Sequence, residues 1–275
     1  VRNALKFTSI LATAGIALSL AACGSSGSSG SSDPNAPLTV VASPTPHGQI
    51  LKFVKDNLAE KAGLKLTIKE VTDYVTPNTA VQDGSADANY FQHVPYLEDF
   101  NKKHGTQIVS VEPVHLEPLG VYSKKIKAIG DLKDGSTVGL PNDATNEGRA
   151  LKLLADNNLI TLKAGVGTAA TPSDITGNPK NLKWKELEAA QLPRSIDDLD
   201  AAVINGNYAL DAGLKPAGDS LLLEKAEGNP YANILAVKQG KENDPRVKKL
   251  AELLHSAEVK KYIDDTFKGS VIPAF

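Results

Sequence analysis

The sequence predicts an α/β protein of two lobes, with the chain crossing from one lobe to the other and back. Three observations predict it. From residue 38 to about residue 100, strand-like and helix-like segments alternate, the order that builds a layered α/β unit with a parallel sheet. Residues 112–123 are extended and broken by Pro113 and Pro118, and strand–helix alternation restarts at Ser136. Near the end, residues 233–238 are again apolar and strand-like before two amphipathic helices, which returns the chain to its starting lobe. On this pattern residues 38–118 and 231–275 form the first lobe and residues 119–230 the second.

Residues 1–36 stand outside that pattern. Arg2 and Lys6 make a short basic head, followed at residues 7–22 by a largely apolar run. The run is short for a membrane-spanning helix but suits the hydrophobic region of a secretory signal. It ends in Leu20-Ala21-Ala22-Cys23, the form of a bacterial lipobox, in which small residues expose the bond before the cysteine and the thiol accepts a diacylglyceryl group. Residues 1–22 are therefore expected to be a lipoprotein signal peptide. Residues 23–37 are expected to be a lipidated Cys23 and a Gly/Ser tether, flexible by composition, anchoring an extracytoplasmic protein to the cell membrane. Cys23 is the single cysteine, so no intrachain disulfide can form. Without residues 1–22, 28 basic side chains face 32 acidic ones and no basic block occurs, which argues against nucleic acid or anionic lipid as a partner.

In the first lobe, residues 38–42 are apolar and β-branched and read as a strand. A Ser/Thr/Pro turn follows, and Ile50, Leu51, Val54 and Leu58 have helical spacing. Residues 64–71 alternate as a second strand, and residues 73–78 open a helix that ends near Gly84. A third strand runs to His93, with Pro95 suited to the first turn of the next helix. Residues 108–111 add a strand to a sheet expected to be largely parallel. In the second lobe, residues 136–140 read as strand, 141–145 as turn and 146–157 as helix. Shorter elements lie at 180–187 and 193–199, and residues 201–204 form a buried-type strand ending at Asn205. Helices at about 245–256 and 257–267 follow the return strand.

The densest chemistry lies at residues 86–96. Tyr90 and Phe91 are adjacent, so in an extended segment they point to opposite faces, and Phe91 shares its face with His93. A helix starting at Pro95 brings Tyr96 back toward the strand end, and Phe91, His93 and Tyr96 then read as a pocket wall. His93 reads as a pocket hydrogen-bonder or as a helix cap. Arg149 falls in the first turn of a helix beginning at Asn146, where a cation opposes the macrodipole. It either grips a carboxylate bidentately or pairs with Glu147 or Asp143. Asn205 sits at the carboxyl end of its strand, where α/β sheets hold ligands, and reads as a ligand amide or as a turn-former before Gly206. His47, His104, His115 and His255 are scattered, without metal-ligand spacing. No Gly-x-Ser-x-Gly elbow, nucleophilic cysteine or phosphate-binding glycine loop occurs. Neither enzymatic activity nor a cofactor is expected, and two lobes with two crossings are the architecture of an extracytoplasmic solute-binding protein.

Four long words carry a resemblance: Asp87-Ala88-Asn89-Tyr90-Phe91-Gln92-His93-Val94-Pro95-Tyr96-Leu97, Pro141-Asn142-Asp143-Ala144-Thr145-Asn146-Glu147-Gly148-Arg149-Ala150-Leu151, Ala201-Ala202-Val203-Ile204-Asn205-Gly206-Asn207-Tyr208-Ala209 and Val271-Ile272-Pro273-Ala274-Phe275. In them, and over residues 38–275, the chain resembles the NlpA/MetQ family of methionine-binding lipoproteins, the substrate-binding components of methionine ABC importers. The resemblance implies a type II periplasmic-binding-protein-like fold and a monomer that delivers L-methionine to a permease and its ATPase. It also implies a thioether pocket lined by Tyr74, Phe91, His93 and Tyr96, and a head-group site at Asn146, Arg149 and Asn205. Ser43 and Leu119 depart from the family pattern at positions away from that pocket. Within the same fold D-methionine, a Gly-Met-type dipeptide or another apolar amino acid remains an alternative ligand. A surface adhesin or antigen is the alternative of another class.

Overall fold

The computed structural model describes residues 33–275; the expected signal peptide and Cys23 lie outside the described residues. The chain begins with β1 (Leu38–Ala42), a tight turn at Pro44–Gly48 and α1 (Gln49–Val54), which continues into a wide turn at Lys55–Ala59. Then come β2 (Leu66–Glu70), α2 (Thr76–Asp83), β3 (Ala88–His93), α3 (Val94–His104) and β4 (Ile108–Leu116). A second run holds β5 (Gly120–Tyr122), β6 (Thr137–Pro141), α4 (Ala144–Asp156), β7 (Thr161–Leu162), β8 (Ile175–Gly177) and β9 (Lys183–Leu187). It continues through α5 (Leu192–Ser195), β10 (Ala201–Ile204), α6 (Gly206–Asp211), α7 (Pro216–Asp219) and β11 (Leu222–Leu223). The chain closes with β12 (Ala232–Lys238), α8 (Pro245–Leu254), α9 (Ala257–Phe267) and β13 (Ile272–Pro273).

These strands form two large sheets, one ordered β13-β4-β12-β3-β1-β2 and the other β11-β5-β10-β6-β9, beside a small β7-β8 pair. The first sheet is not largely parallel, contrary to the sequence expectation. β1 runs parallel to β2 and β3, but β12 wedges antiparallel between β3 and β4, and β13 adds antiparallel to β4. β12 enters from the second sheet rather than through a helical crossover, so nothing constrains it to run parallel. β4 is longer than residues 108–111 suggested because Pro113 is absorbed where the β4–β12 register shifts, a place where a missing backbone N–H is tolerated.

Each sheet has its own core. Leu38, Val40 and Ala42 of β1 and Leu235 of β12 pack with Ile50, Leu51, Val54, Leu250, Leu254 and Ile263 from the helices. In the second sheet, Ala201 and Val203 of β10 face Leu151 and Leu154 of α4, while Ala202 and Ile204 face Leu192 and Ile196. β10 is covered on both sides, which explains its uninterrupted apolar run. Leu151 is fully buried, and Leu151→Ala is expected to cost about 2–5 kcal/mol, read as a lower midpoint in denaturant.

The chain passes between the sheets at residues 117–119 and again at 224–231. The two passages are stitched together: the Glu224 N–H donates to Leu119 O (2.9 Å), and the Leu119 N–H donates to the Glu224 carboxylate (3.1 Å).

Candidate functional site

A small cavity opens where the carboxyl ends of β3 and β10 meet. All seven candidate residues, Tyr74, Phe91, His93, Tyr96, Asn146, Arg149 and Asn205, line it. Glu117, Asn207 and Asn233 also line it and escaped the sequence reading of the pocket. Asn207 lies two residues from Asn205, so the carboxyl-end rule that flagged one could have flagged the other. Glu117 begins the first passage between sheets and Asn233 lies near the start of β12, and no local pattern singles them out.

The apolar half of the cavity is a triangle of rings. Tyr74 lies 5.9 Å from Phe91 and 5.7 Å from Tyr96, and Phe91 lies 6.0 Å from Tyr96, centroid to centroid, in tilted or edge arrangements. Such geometry leaves ring edges and faces available to a soft, polarisable group. Tyr74 is held from below by its loop: Asp73 accepts from the N–H groups of Val75 (2.8 Å) and Thr76 (2.7 Å), fixing the start of α2. The Tyr96 hydroxyl donates to Tyr74 O (3.0 Å), and the Tyr74 hydroxyl donates to Asn207 Oδ1 (2.6 Å). Tyr90 points to the opposite face of β3, buried in the first core and hydrogen-bonded to His115.

His93 does both things its sequence position allowed. Its Nδ1 accepts the Tyr96 N–H at the start of α3 (3.2 Å), which leaves Nε2 as the donor toward Asn146 Oδ1 (3.2 Å). Burial, reinforced by the Arg149 charge, lowers its pKa to about 3, so the ring is neutral. Asn146 is a hub: its Oδ1 also accepts from Asn205 Nδ2 (2.9 Å), and its Nδ2 donates to Asp143 (3.0 Å). That leaves Asn205 Oδ1 and Asn207 Nδ2, one acceptor and one donor, buried in this cavity without a partner. Buried polar atoms are rarely left so, and a ligand with both a donor and an acceptor would satisfy the pair.

Arg149 differs from the sequence expectation in two ways. Asp143 caps α4 by accepting the Asn146 N–H (3.0 Å), so the helix starts two residues earlier than expected and Arg149 lies past its first turn. The macrodipole argument therefore carries little weight there. Its partner is neither Glu147 nor Asp143. Nε and Nη2 donate to Glu224 (3.0 and 2.5 Å), Nη2 also donates to Glu117 O (2.9 Å), and the guanidinium lies 4.2 Å from the Tyr231 ring centroid. These contacts leave Nη1 as the remaining arm of the fork. Gly148 allows the helix to sit this close to its neighbour, because a Cβ there would stand 2.1 Å from Thr168 O.

Histidines scattered in the sequence are brought together behind the cavity. His47 Nε2 (3.2 Å) and His115 Nε2 (2.8 Å) both reach Glu117 Oε1, and His47 Nε2 also lies 3.0 Å from Asn233 Oδ1. The three donor atoms lie within 4.8 Å of one another, a convergence the spacing of these residues did not announce, and hydrogen bonds among them account for it. Across the cavity, Gly206 leaves room for Glu117, since a Cβ would stand 2.7 Å from its side chain. Gly206→Ala is expected to displace Glu117 and cost about 1–3 kcal/mol through overpacking, read by thermal unfolding.

The model of the NlpA lipoprotein family matches residues 38–275. The methionine-binding lipoprotein MetQ of Bacillus subtilis is 41% identical over 268 residues, which covers 96% of each chain. The D-methionine-binding lipoprotein MetQ of Salmonella typhimurium is 41% identical over 273 residues, 98% of each. Among solved structures, a nutrient-binding protein from Burkholderia cenocepacia bound to methionine superposes with a TM-score of 0.84 at 46% identity, covering 86% of this chain and 100% of that one. Agreement of this length, over residues that build both sheets and the cavity between them, means that the chain belongs to the NlpA lipoprotein family.

Proposed function

We propose that this chain is the substrate-binding lipoprotein of a methionine ABC importer, capturing L-methionine in the cavity and delivering it to a permease and its ATPase. The observation that carries the reading is the division of one cavity into an aromatic triangle and a polar end with an unpaired amide oxygen, an unpaired amide nitrogen and a guanidinium arm. A thioether against ring edges gains about 0.3–1.5 kcal/mol per contact, and the zwitterion supplies the donor and acceptor that the amides lack. In this reading Asn146 acts by holding Asn205 and His93 in place, its own amide being fully engaged.

Residues 38–118 with 231–275, and residues 119–230, are the two lobes of this mechanism. His93 with Asn146, Tyr74 with Asn207, and the Tyr208 hydroxyl with Thr72 O (2.9 Å) are contacts that lobe closure makes. Moving such an equilibrium from mostly open to mostly closed takes about 5.5 kcal/mol of differential affinity, which a ligand touching both lobes provides. A lipid on Cys23 would leash the protein, as a monomer, outside the membrane beside its permease. No helix among the described residues is long and apolar enough to cross a membrane.

Denaturing the purified protein and identifying the released small molecule by chiral mass spectrometry is the direct test. L-methionine is expected; D-methionine or a dipeptide changes the ligand, and an empty protein that also fails to bind added methionine removes the importer reading. Asn205→Ala is expected to weaken methionine binding by about 10–100-fold, the loss of one or two hydrogen bonds to a charged group. Its midpoint of thermal unfolding should stay close to that of the wild type, and titration calorimetry reads the affinity.

A further inference from the structure

We propose that Glu117 is the counter-charge for the ligand's ammonium group, which makes this a site for α-amino acids rather than for carboxylates with the same side chain. The inference deepens the methionine reading and rests on it. Among the described residues lining the cavity, Glu117 is the one carboxylate and Arg149 the one guanidinium. They are not each other's partners. The Arg149 charge is matched by Glu224 through two N–H groups, and Arg149 touches Glu117 only at its backbone oxygen.

The Glu117 side chain is 5% exposed and is held by uncharged groups: the two imidazole Nε2 atoms of His47 and His115 and the backbone N–H of Asn207. Burial lowers the pKa of His47 to about 4 and of His115 to about 3, so neither ring supplies a cation. A carboxylate desolvated to this degree without a cation is costly. A bound ammonium group is the missing charge. The unpaired Asn205 Oδ1, one residue from the Gly206 that packs on Glu117, is a second acceptor in the same cavity. An ammonium group has three N–H donors and no acceptor, which suits a corner built of acceptors.

A linked proton follows. The groups acting on Glu117 are His47 from the turn after β1, His115 from β4, Arg149 from α4, Asp211 from α6, and the hydroxyls of Tyr74 and Tyr90. Burial pushes the Glu117 carboxyl up, with His47 and Arg149 pulling it partly back. The empty site therefore binds a proton more readily than an ordinary carboxylate does. An arriving ammonium group favours the ionised form, so binding releases that proton and affinity weakens as pH falls.

The test is titration calorimetry of the full chain with L-methionine and with 4-(methylthio)butanoate, which keeps the thioether and carboxylate but lacks the amine. The wild type is expected to prefer methionine by about 100-fold or more, the scale of a buried charge left unpaired. It should also release protons on binding at pH 5.5, read from the difference in binding enthalpy between acetate and MES buffers. Glu117→Gln, of equal size, is expected to narrow the preference to below about 10-fold and abolish the proton release. Equal affinity of the wild type for the two compounds overturns the proposal without any substitution, and so does a Glu117→Gln variant that keeps both preference and proton release. A wild type that binds neither compound refutes the methionine reading itself, a result distinct from equal binding, and the Glu117 proposal falls with it.

Discussion

Arg149→Ala is expected to abolish measurable methionine binding and to lower stability by about 3–5 kcal/mol, the cost of stranding one member of a buried ion pair. For a chain of this size that is roughly a 10 °C fall in the unfolding midpoint. Both effects come from the same contacts. The Arg149 side chain is 4% exposed and that of Glu224 15% exposed, so removing the guanidinium leaves a poorly solvated carboxylate as well as a ligand site without its cation. The two effects separate in a double variant. Arg149→Ala with Glu224→Gln is expected to recover most of the lost stability and none of the binding, because the stranded charge is gone while the fork is still missing. Thermal unfolding and calorimetry on the three proteins read both quantities. A single variant with wild-type affinity would end the head-group assignment.

The second large effect belongs to the aromatic triangle. Phe91→Ala and Tyr74→Ala are each expected to weaken methionine binding by about 10–100-fold, from lost sulfur–ring contact and lost apolar burial at about 25 cal/mol per Å². Affinity for alanine, which shares the head group and has no thioether, should change by less than about threefold, since its side chain buries little apolar area. Competition between the two amino acids measures this directly. Equal losses for both ligands would mean that the rings shape the fold rather than the pocket. Phe91 is 3% exposed, so Phe91→Leu is the control that retains volume.

Much of the fold was legible because its signals are local. β10 is apolar at every position and buried on both faces, and α8 and α9 keep their stripes against the first core. What the sequence concealed depends on partners far along the chain. The direction of β12 is set by where the chain re-enters the first sheet, and nothing in residues 232–238 encodes it. In the site, Phe91, His93 and Tyr96 were legible from the alternation of a strand and one helical turn. Arg149 and Asn205 were flagged from their positions, each as one of two readings, and Tyr74 and Asn146 only through family resemblance; all four line the cavity. Glu117 was missed altogether, because it is an ordinary acidic residue until His47, His115 and Gly206 arrive around it from 70, 2 and 89 positions away. The pairing of Arg149 was missed for the same reason, since Glu224 lies 75 residues on.

The stitch between the two passages has a mechanical meaning. Arg149 holds Glu117 O on one passage and Glu224 on the other, and Leu119 and Glu224 pair beside it. In the closure proposed above, rotation must pivot close to this rivet, and a group near a pivot sweeps only a short arc. The charged end of the amino acid would then rest near the fulcrum while its side chain lies out along the lever arm, where the rings of Tyr74, Phe91 and Tyr96 travel furthest. Head-group contacts would secure any amino acid, and the leverage that shuts the protein would come from how far the side chain reaches.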